Sequence, residues 1–454
     1  MSTGSASASV PSPVFWAARA WVGDSIVDRV RIRAAPDGTI ASVATGVDAA
    51  TDDIRLSGTV YPGAVNAHSH AFHRLLRGRT HDGGGSFWTW RELMYREAGR
   101  LEPQSYERVA TAVYAEMVAA GFTSVAEFHY VHHRPDGARY AEPHAMERAL
   151  ARAAVAAGIR LTLLDTCYLA GGFDVALSPE QARFGDGSVH AWLERSSRLR
   201  HAMADEFDSR FVTVAAALHS VRAVPVAALS VVASELDPRI PLHMHVSEQP
   251  AENEDCVRAT GLTPVGLLQR AGLLSPRFSA VHATHLTVDD IQLLGASGAT
   301  VVMCPTTEAD LGDGIGPARA LRDAGVPISL GTDQHAVVDP LLEARALEYG
   351  ERLGSGRRGR FSPAELVRAM TSGGSASVGR QTGSIAVGQP FDLIEIDPNS
   401  ARTAGSDPAQ LMLTATASDV ATVVVAARVV ARGGEHATLG DTGSLLRRAI
   451  EEMR

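Results

Sequence analysis

The chain has 454 residues, 45% of them hydrophobic, and a formal net charge of -9 at pH 7. That length can bury a sizeable core and fits two or three domains, one of which can be a large barrel. An acidic balance with no long basic cluster excludes the electrostatic footprint of a nucleic-acid binder, so a small-molecule substrate is expected.

Residues 1–13 are small and polar, without the basic start and apolar segment of a secretion signal. The three cysteines, Cys167, Cys256 and Cys304, are far apart and odd in number, which points to a reducing, cytoplasmic setting. No apolar run is long enough to cross a membrane, the most hydrophobic late stretch being broken by Arg428, so no membrane partner is expected.

Residues 13–57 carry strand-like runs such as 30–32, separated by Gly, Asp and Pro turns. From residue 60 onward, short β-branched or apolar runs alternate with longer Ala/Leu/Glu/Arg-rich segments. Eight such runs lie at 60–67, 122–128, 159–166, 211–218, 240–245, 278–281, 300–304 and 327–330. Helical segments at 103–120, 143–157, 265–271 and 288–294 each precede a Gly where a helix must stop. Eight strand and helix units predict a closed barrel, with an open doubly wound sheet as the alternative. Ser362, Pro363 and Glu365 then supply an N-cap, a first-turn proline and a capping carboxylate for a further helix. Residues 384–440 return to strand-like runs, including 421–430, and are expected to pair with the N-terminal runs. The predicted organisation is 1–59 and 384–454 as one small β-sandwich domain built from both chain ends, around a barrel at 60–383.

His68 and His70 are two apart at the end of the first barrel run, where strand geometry points both imidazoles to one side. A lone His-x-His pair is weak evidence, but further polar residues fall at other strand ends. His219 ends the fourth run, His245 the fifth and His282 the sixth, and Asp333 follows the eighth. In a parallel barrel those ends meet on one face. Three imidazoles and a carboxylate suit a borderline divalent ion such as Zn²⁺, which brings water toward ionisation near neutral pH. Glu248, three residues after His245, can reach back over such an ion as a proton donor. His243 shares the strand face of His245 but lies deeper and reads as core. The glycine-rich stretch 311–316 lacks the Lys and Ser/Thr of a phosphate loop and reads as a rigid active-site loop.

Longer motifs sharpen the reading. They are Asn66-Ala67-His68-Ser69-His70-Ala71-Phe72, then Ser86-Phe87-Trp88-Thr89-Trp90-Arg91-Glu92-Leu93-Met94-Tyr95, His282-Ala283-Thr284-His285, Thr307-Glu308-Ala309-Asp310-Leu311-Gly312-Asp313-Gly314 and Leu347-Glu348-Tyr349-Gly350-Glu351-Arg352-Leu353. With them the chain resembles the amidohydrolase superfamily, and within it the N-formimidoyl-L-glutamate deiminases of histidine degradation. The resemblance implies a TIM-like (β/α)8 barrel with one zinc ion per chain held by His68, His70, His245 and Asp333. It gives acid/base work to Glu248, His282 and Asp333, and substrate binding to His73, Arg91, Tyr130, His219 and Arg222. His73 departs from the family pattern, which has Gln there. A substrate with two carboxylates fits two guanidinium forks. Two-metal members of the superfamily use a carboxylated lysine, and no lysine occurs between His70 and Asp333. The competing readings are a ring deaminase with a guanine- or adenosine-like substrate and a non-catalytic scaffold, which should have lost metal ligands. The expected assembly is a homodimer.

Overall fold

A computed structural model describes residues 12–81 and 87–454 of the chain. The residues read above at 1–11 and at Ser86 lie outside that range.

Two eight-stranded sheets organise the molecule. The first takes strands from both chain ends: β1 (Val14–Val22), β2 (Ser25–Ala34), β3 (Ile40–Ala44) and β4 (Ile54–Pro62) from the N-terminal part. The second is the barrel wall: β5 (Ala64–Ser69), β6 (Phe122–His129), β7 (Arg160–Cys167), β8 (Val212–Ser220), β9 (Leu242–Val246), β10 (Phe278–His282), β11 (Thr300–Met303) and β12 (Ile328–Leu330). The late strands β13 (Leu393–Ile396), β14 (Val420–Val425), β15 (Arg428–Arg432) and β16 (Glu435–His436) complete the first sheet, where β13 pairs antiparallel with β4. That sheet encloses its own apolar core around Phe15, Ile32, Leu56, Phe391 and Leu393.

In the barrel each strand pairs in parallel with the next in sequence, from β5 to β12. Most of these strands are buried along their whole length, as expected where helices cover the outer face, which is why they read as unbroken apolar runs. The ring closes where β5 meets the end of β12: Thr332 N and Asp333 N donate to the His68 carbonyl at 3.1 and 3.0 Å, and His70 N donates to the Asp333 carbonyl at 3.1 Å. Closure itself therefore brings His68, His70 and Asp333 together.

Two strand readings need correction. The run 60–67 is not one strand, because residues up to Pro62 belong to the terminal sheet and the barrel begins at Ala64. Gly63 is the pivot: a Cβ there would sit 2.2 Å from Thr123 Oγ1, so only glycine lets the two sheets approach this closely. The run 421–430 is a hairpin and not a single strand. Ala426 and Ala427 both take positive φ, 49° and 63°, as a two-residue hairpin turn requires. No Gly or Asn marks the turn; it is held from outside by Ala426 N donating to Asp392 Oδ1 at 2.9 Å and Ala427 N donating to the Phe391 carbonyl at 3.0 Å. The helix predicted at 103–120 spans Pro103–Ala120, and Ser362 caps a helix at Pro363–Met370 through the capping box with Glu365.

Candidate active site

At the carboxyl mouth of the barrel, four side chains converge on one point. His245 Nε2 lies 3.2 Å from His68 Nε2 and 3.4 Å from His70 Nε2, and Asp333 Oδ1 lies 3.3 and 3.4 Å from the same two nitrogens. The ring orientations are fixed from behind. His70 Nδ1 donates to the Phe128 carbonyl and His245 Nδ1 to the His219 carbonyl, each at 2.8 Å. A carbonyl can only accept, so both Nδ1 atoms carry the proton and the facing Nε2 atoms are bare lone pairs. Burial holds all three imidazoles well below the ordinary histidine range, so they are neutral. Lone pairs and a carboxylate at this spacing repel one another unless a cation sits among them. Neighbouring ligands held about 2.0 to 2.1 Å from one ion stand about 3 Å or a little more from each other, and the four separations fall in that range. The cage is built to hold a metal ion.

Around it stand the groups that can move protons. Glu248 follows β9 and has its carboxyl pushed up to about 7, chiefly by burial. Its Oε1 lies 3.8 Å from His282 Nε2, and the other His282 nitrogen, Nδ1, lies 3.4 Å from Glu308 Oε1. Burial also raises the Asp333 carboxyl. Of the ten non-glycine residues with positive φ among the described residues, five sit at these strand ends: Ser247, His282, Ala283, Asp333 and His335. Backbone strain of this kind persists where the surrounding structure over-determines a site.

A narrow cleft opens over the cage. His73, Arg91, Tyr130, His219, Arg222, Glu248, His282 and Asp333 all line it, so every predicted substrate or acid/base residue is brought to one place, while His68 lies beneath, fully buried. His73 Nε2 is bonded to Tyr130 Oη at 3.0 Å, and Arg222 Nε lies 3.6 Å from Glu252 Oε2. His243 is absent from the lining; its Nε2 donates to the Ser377 carbonyl at 2.8 Å, as a core histidine. The stretch 311–316 stays off the lining too, yet Asp313 is buried and accepts from Gln249 next to Glu248.

Four lining residues were not foreseen: Trp90, Met94, Tyr95 and Tyr168. Trp90, Met94 and Tyr95 share the helix Phe87–Arg100 with Arg91, so the spacings of three, four and five could have been read as one helix face. Tyr168 directly follows the end of β7, where the strand-end logic applied to the histidines would have found it.

Residues 59–430 match the family described as "Amidohydrolase family". The chain belongs to that family. It is 37% identical over 437 residues to a formimidoylglutamate deiminase of Pseudomonas aeruginosa, covering 93% of this chain and 95% of the relative. Among solved structures, an amidohydrolase from Brucella melitensis superposes with a TM-score of 0.89 at 32% identity, covering 97% of this chain and 99% of the other. An adenosine deaminase from Xanthomonas campestris with bound zinc superposes with a TM-score of 0.82 at 25% identity, over 98% of this chain and 99% of the other.

Proposed function

We propose that the chain is a formimidoylglutamate deiminase: water adds to the formimidoyl carbon of N-formimidoyl-L-glutamate, ammonia departs, and N-formyl-L-glutamate is left. The observation that carries this reading is the pairing of the His/Asp cage with two guanidinium groups, Arg91 and Arg222, on the wall of the same cleft, in a chain 37% identical to a protein of that name. A small acid with two carboxylates suits such a wall, because each guanidinium offers a fork of charged donors. A neutral purine offers no carboxylate to either guanidinium.

His68, His70, His245 and Asp333 hold the metal in this reading, and we assign it as one Zn²⁺ per chain on the strength of the zinc in the Xanthomonas campestris neighbour and the nitrogen-rich ligand set. The chain contains no lysine at all, so a carboxylated lysine cannot bridge a second ion. When bound, Zn²⁺ supplies Lewis acidity that eases the ionisation of water and polarises the substrate. Asp333 takes up the proton that water loses, and His282, between Glu248 and Glu308, orients that water. Glu248, whose carboxyl burial pushes up, passes a proton to the nitrogen that leaves as ammonia. Arg91, Arg222, Tyr130, His219 and His73 orient the substrate. A homodimer in the cytoplasm completes the proposal; sedimentation of the purified protein tests the assembly.

Ammonia release from N-formimidoyl-L-glutamate, measured beside guanine and 8-oxoguanine with metal-replete protein, tests the reaction. Turnover of the diacid with none of either purine is expected. The reverse preference overturns the assignment.

A further inference from the structure

One buried amide holds two phenols, Tyr95 and Tyr168, in the wall they share with Arg91 and Arg222. Gln181 lies in the short helix Pro179–Phe184 and is only 3% exposed. Its Oε1 accepts the Ser178 backbone N–H at 2.9 Å, which fixes the orientation of the amide. Both remaining N–H bonds end on phenol oxygens, Tyr95 Oη and Tyr168 Oη, each at 2.9 Å. Tyr95 Oη also accepts from Arg91 Nε at 2.7 Å, with the guanidinium carbon 5.2 Å from the centre of the Tyr95 ring.

Neither an amide nitrogen nor a guanidinium can accept a proton, so the Tyr95 hydroxyl must donate elsewhere. Two places are open to it: the Tyr168 oxygen, which sits on the same Gln181 amide nitrogen, or the cleft. In the first case Tyr168 Oη is filled by two donors and its own O–H turns to the cleft. In the second the Tyr95 O–H faces the cleft directly. Either way the phenol pair offers an O–H donor beside two guanidinium groups, and what completes it is an acceptor that carries negative charge.

We infer that Gln181 is a positioning residue that keeps the Tyr95 and Tyr168 hydroxyls aimed as donors at a substrate carboxylate, so that the phenol pair reads the acid group alongside Arg91 and Arg222. This rests on the diacid reading of the substrate. An amide in place of that carboxylate would set N–H donors against O–H donors, and the wall would reject it. The isosteric change Gln181→Glu isolates the effect, because a carboxylate can still accept from Ser178 N while its second oxygen captures the phenol protons.

The test uses two probes that cannot react, glutarate and its half-amide, titrated calorimetrically into metal-loaded protein. Wild type should bind glutarate more tightly than the half-amide. Gln181→Glu should weaken glutarate tenfold or more, narrow the preference for it over the half-amide, and raise KM for N-formimidoyl-L-glutamate by more than it lowers kcat, with metal content unchanged. Tyr168→Phe should narrow the preference in the same direction and decides the matter if the first variant does not fold. A wild-type protein without the preference, variants that keep it intact, or variants that lose both probes equally overturn the inference. Wild-type protein that prefers glutarate but releases no ammonia from N-formimidoyl-L-glutamate refutes the reaction instead, and the binding data still judge Gln181.

Discussion

Asn66 and Thr332 clasp each other across the barrel seam. Asn66 Nδ2 donates to Thr332 Oγ1 at 2.7 Å, and Thr332 N donates back to Asn66 Oδ1 at 3.0 Å. The clasp lies where β5 and β12 meet through a single bridge and not a full ladder, two residues before His68 and one before Asp333. Asn66→Leu removes both bonds of the clasp but leaves Thr332 N on the His68 carbonyl and Thr332 Oγ1 on His335 Nδ1, so the expected cost is that of lost and not stranded hydrogen bonds, about 0.5 to 1.5 kcal/mol each. The change should also weaken metal retention, because two cage residues sit on the loosened seam. A chelator competition assay beside a denaturant titration checks both effects; tight metal binding in a destabilised variant would show that seam and cage are independent.

Asp333→Asn and Glu248→Gln should both come close to abolishing turnover, for different reasons. The first removes a charged ligand from the cage, so elemental analysis should show less than one metal per chain. The second leaves the cage whole and removes a proton donor, a loss of about 100-fold to 10,000-fold in kcat. A Glu248→Gln protein with full metal and near-normal kcat would remove Glu248 from the chemistry.

Arg222 faces the cleft with Glu252 at its back. Removing one charged partner from a buried contact costs about 2 to 5 kcal/mol, so Arg222→Met should lower kcat/KM for N-formimidoyl-L-glutamate by about 30-fold or more. The loss should shrink for an analogue lacking the matching carboxylate. Equal losses on both compounds would point to a general defect and away from carboxylate recognition. His73→Gln should be milder, since Gln can also hydrogen-bond Tyr130.

On the outer side of the barrel, Arg195 bonds Asp165 at 2.7 Å and Asp186 at 2.8 Å and lies 3.4 Å from Glu147. All four groups are buried or nearly so. Arg195→Met leaves three carboxylates without their guanidinium, and a loss of about 3 to 5 kcal/mol is expected from breaking such a pair. Denaturant unfolding measures it; a change under 1 kcal/mol would mean that the histidines beside the cluster take over the charge.

The same cluster sets an acid limit on stability. Burial alone would raise Glu147, but the His129 imidazole 3.5 Å away and the 2.8 Å hydrogen bond with His132 outweigh it and hold the carboxyl well below the usual range. Burial likewise works against Asp186, while the His133 bond and the Arg195 charge hold it low. A carboxylate with a depressed folded pKa binds fewer protons folded than unfolded. Its stabilisation is therefore complete above the unfolded value near 4 and is lost as pH falls through the folded value. Tm should drop steeply below about pH 4, and less steeply in Arg195→Met, where Asp186 has lost one cause of its depression. Parallel slopes in the two proteins would place the acid sensitivity elsewhere.

Much of this protein is written locally. Period and composition mark the barrel strands, because most are buried on both faces and need apolar residues along most of their length. Once those strands form a parallel barrel, His68, His70, His245, His282 and Asp333 must meet, since strand ends share one face. What the sequence could not reveal depends on partners far away in the chain. The pivot at Gly63 is set by Thr123, and the Ala426-Ala427 turn by Phe391 and Asp392. The seam joins Asn66 to Thr332, 266 residues on. Gln181 enters the site only because the short helix carrying it packs near Tyr95 and Tyr168, a contact that no local periodicity encodes. Local pattern fixes which face a residue presents, and tertiary packing alone decides which other face it meets.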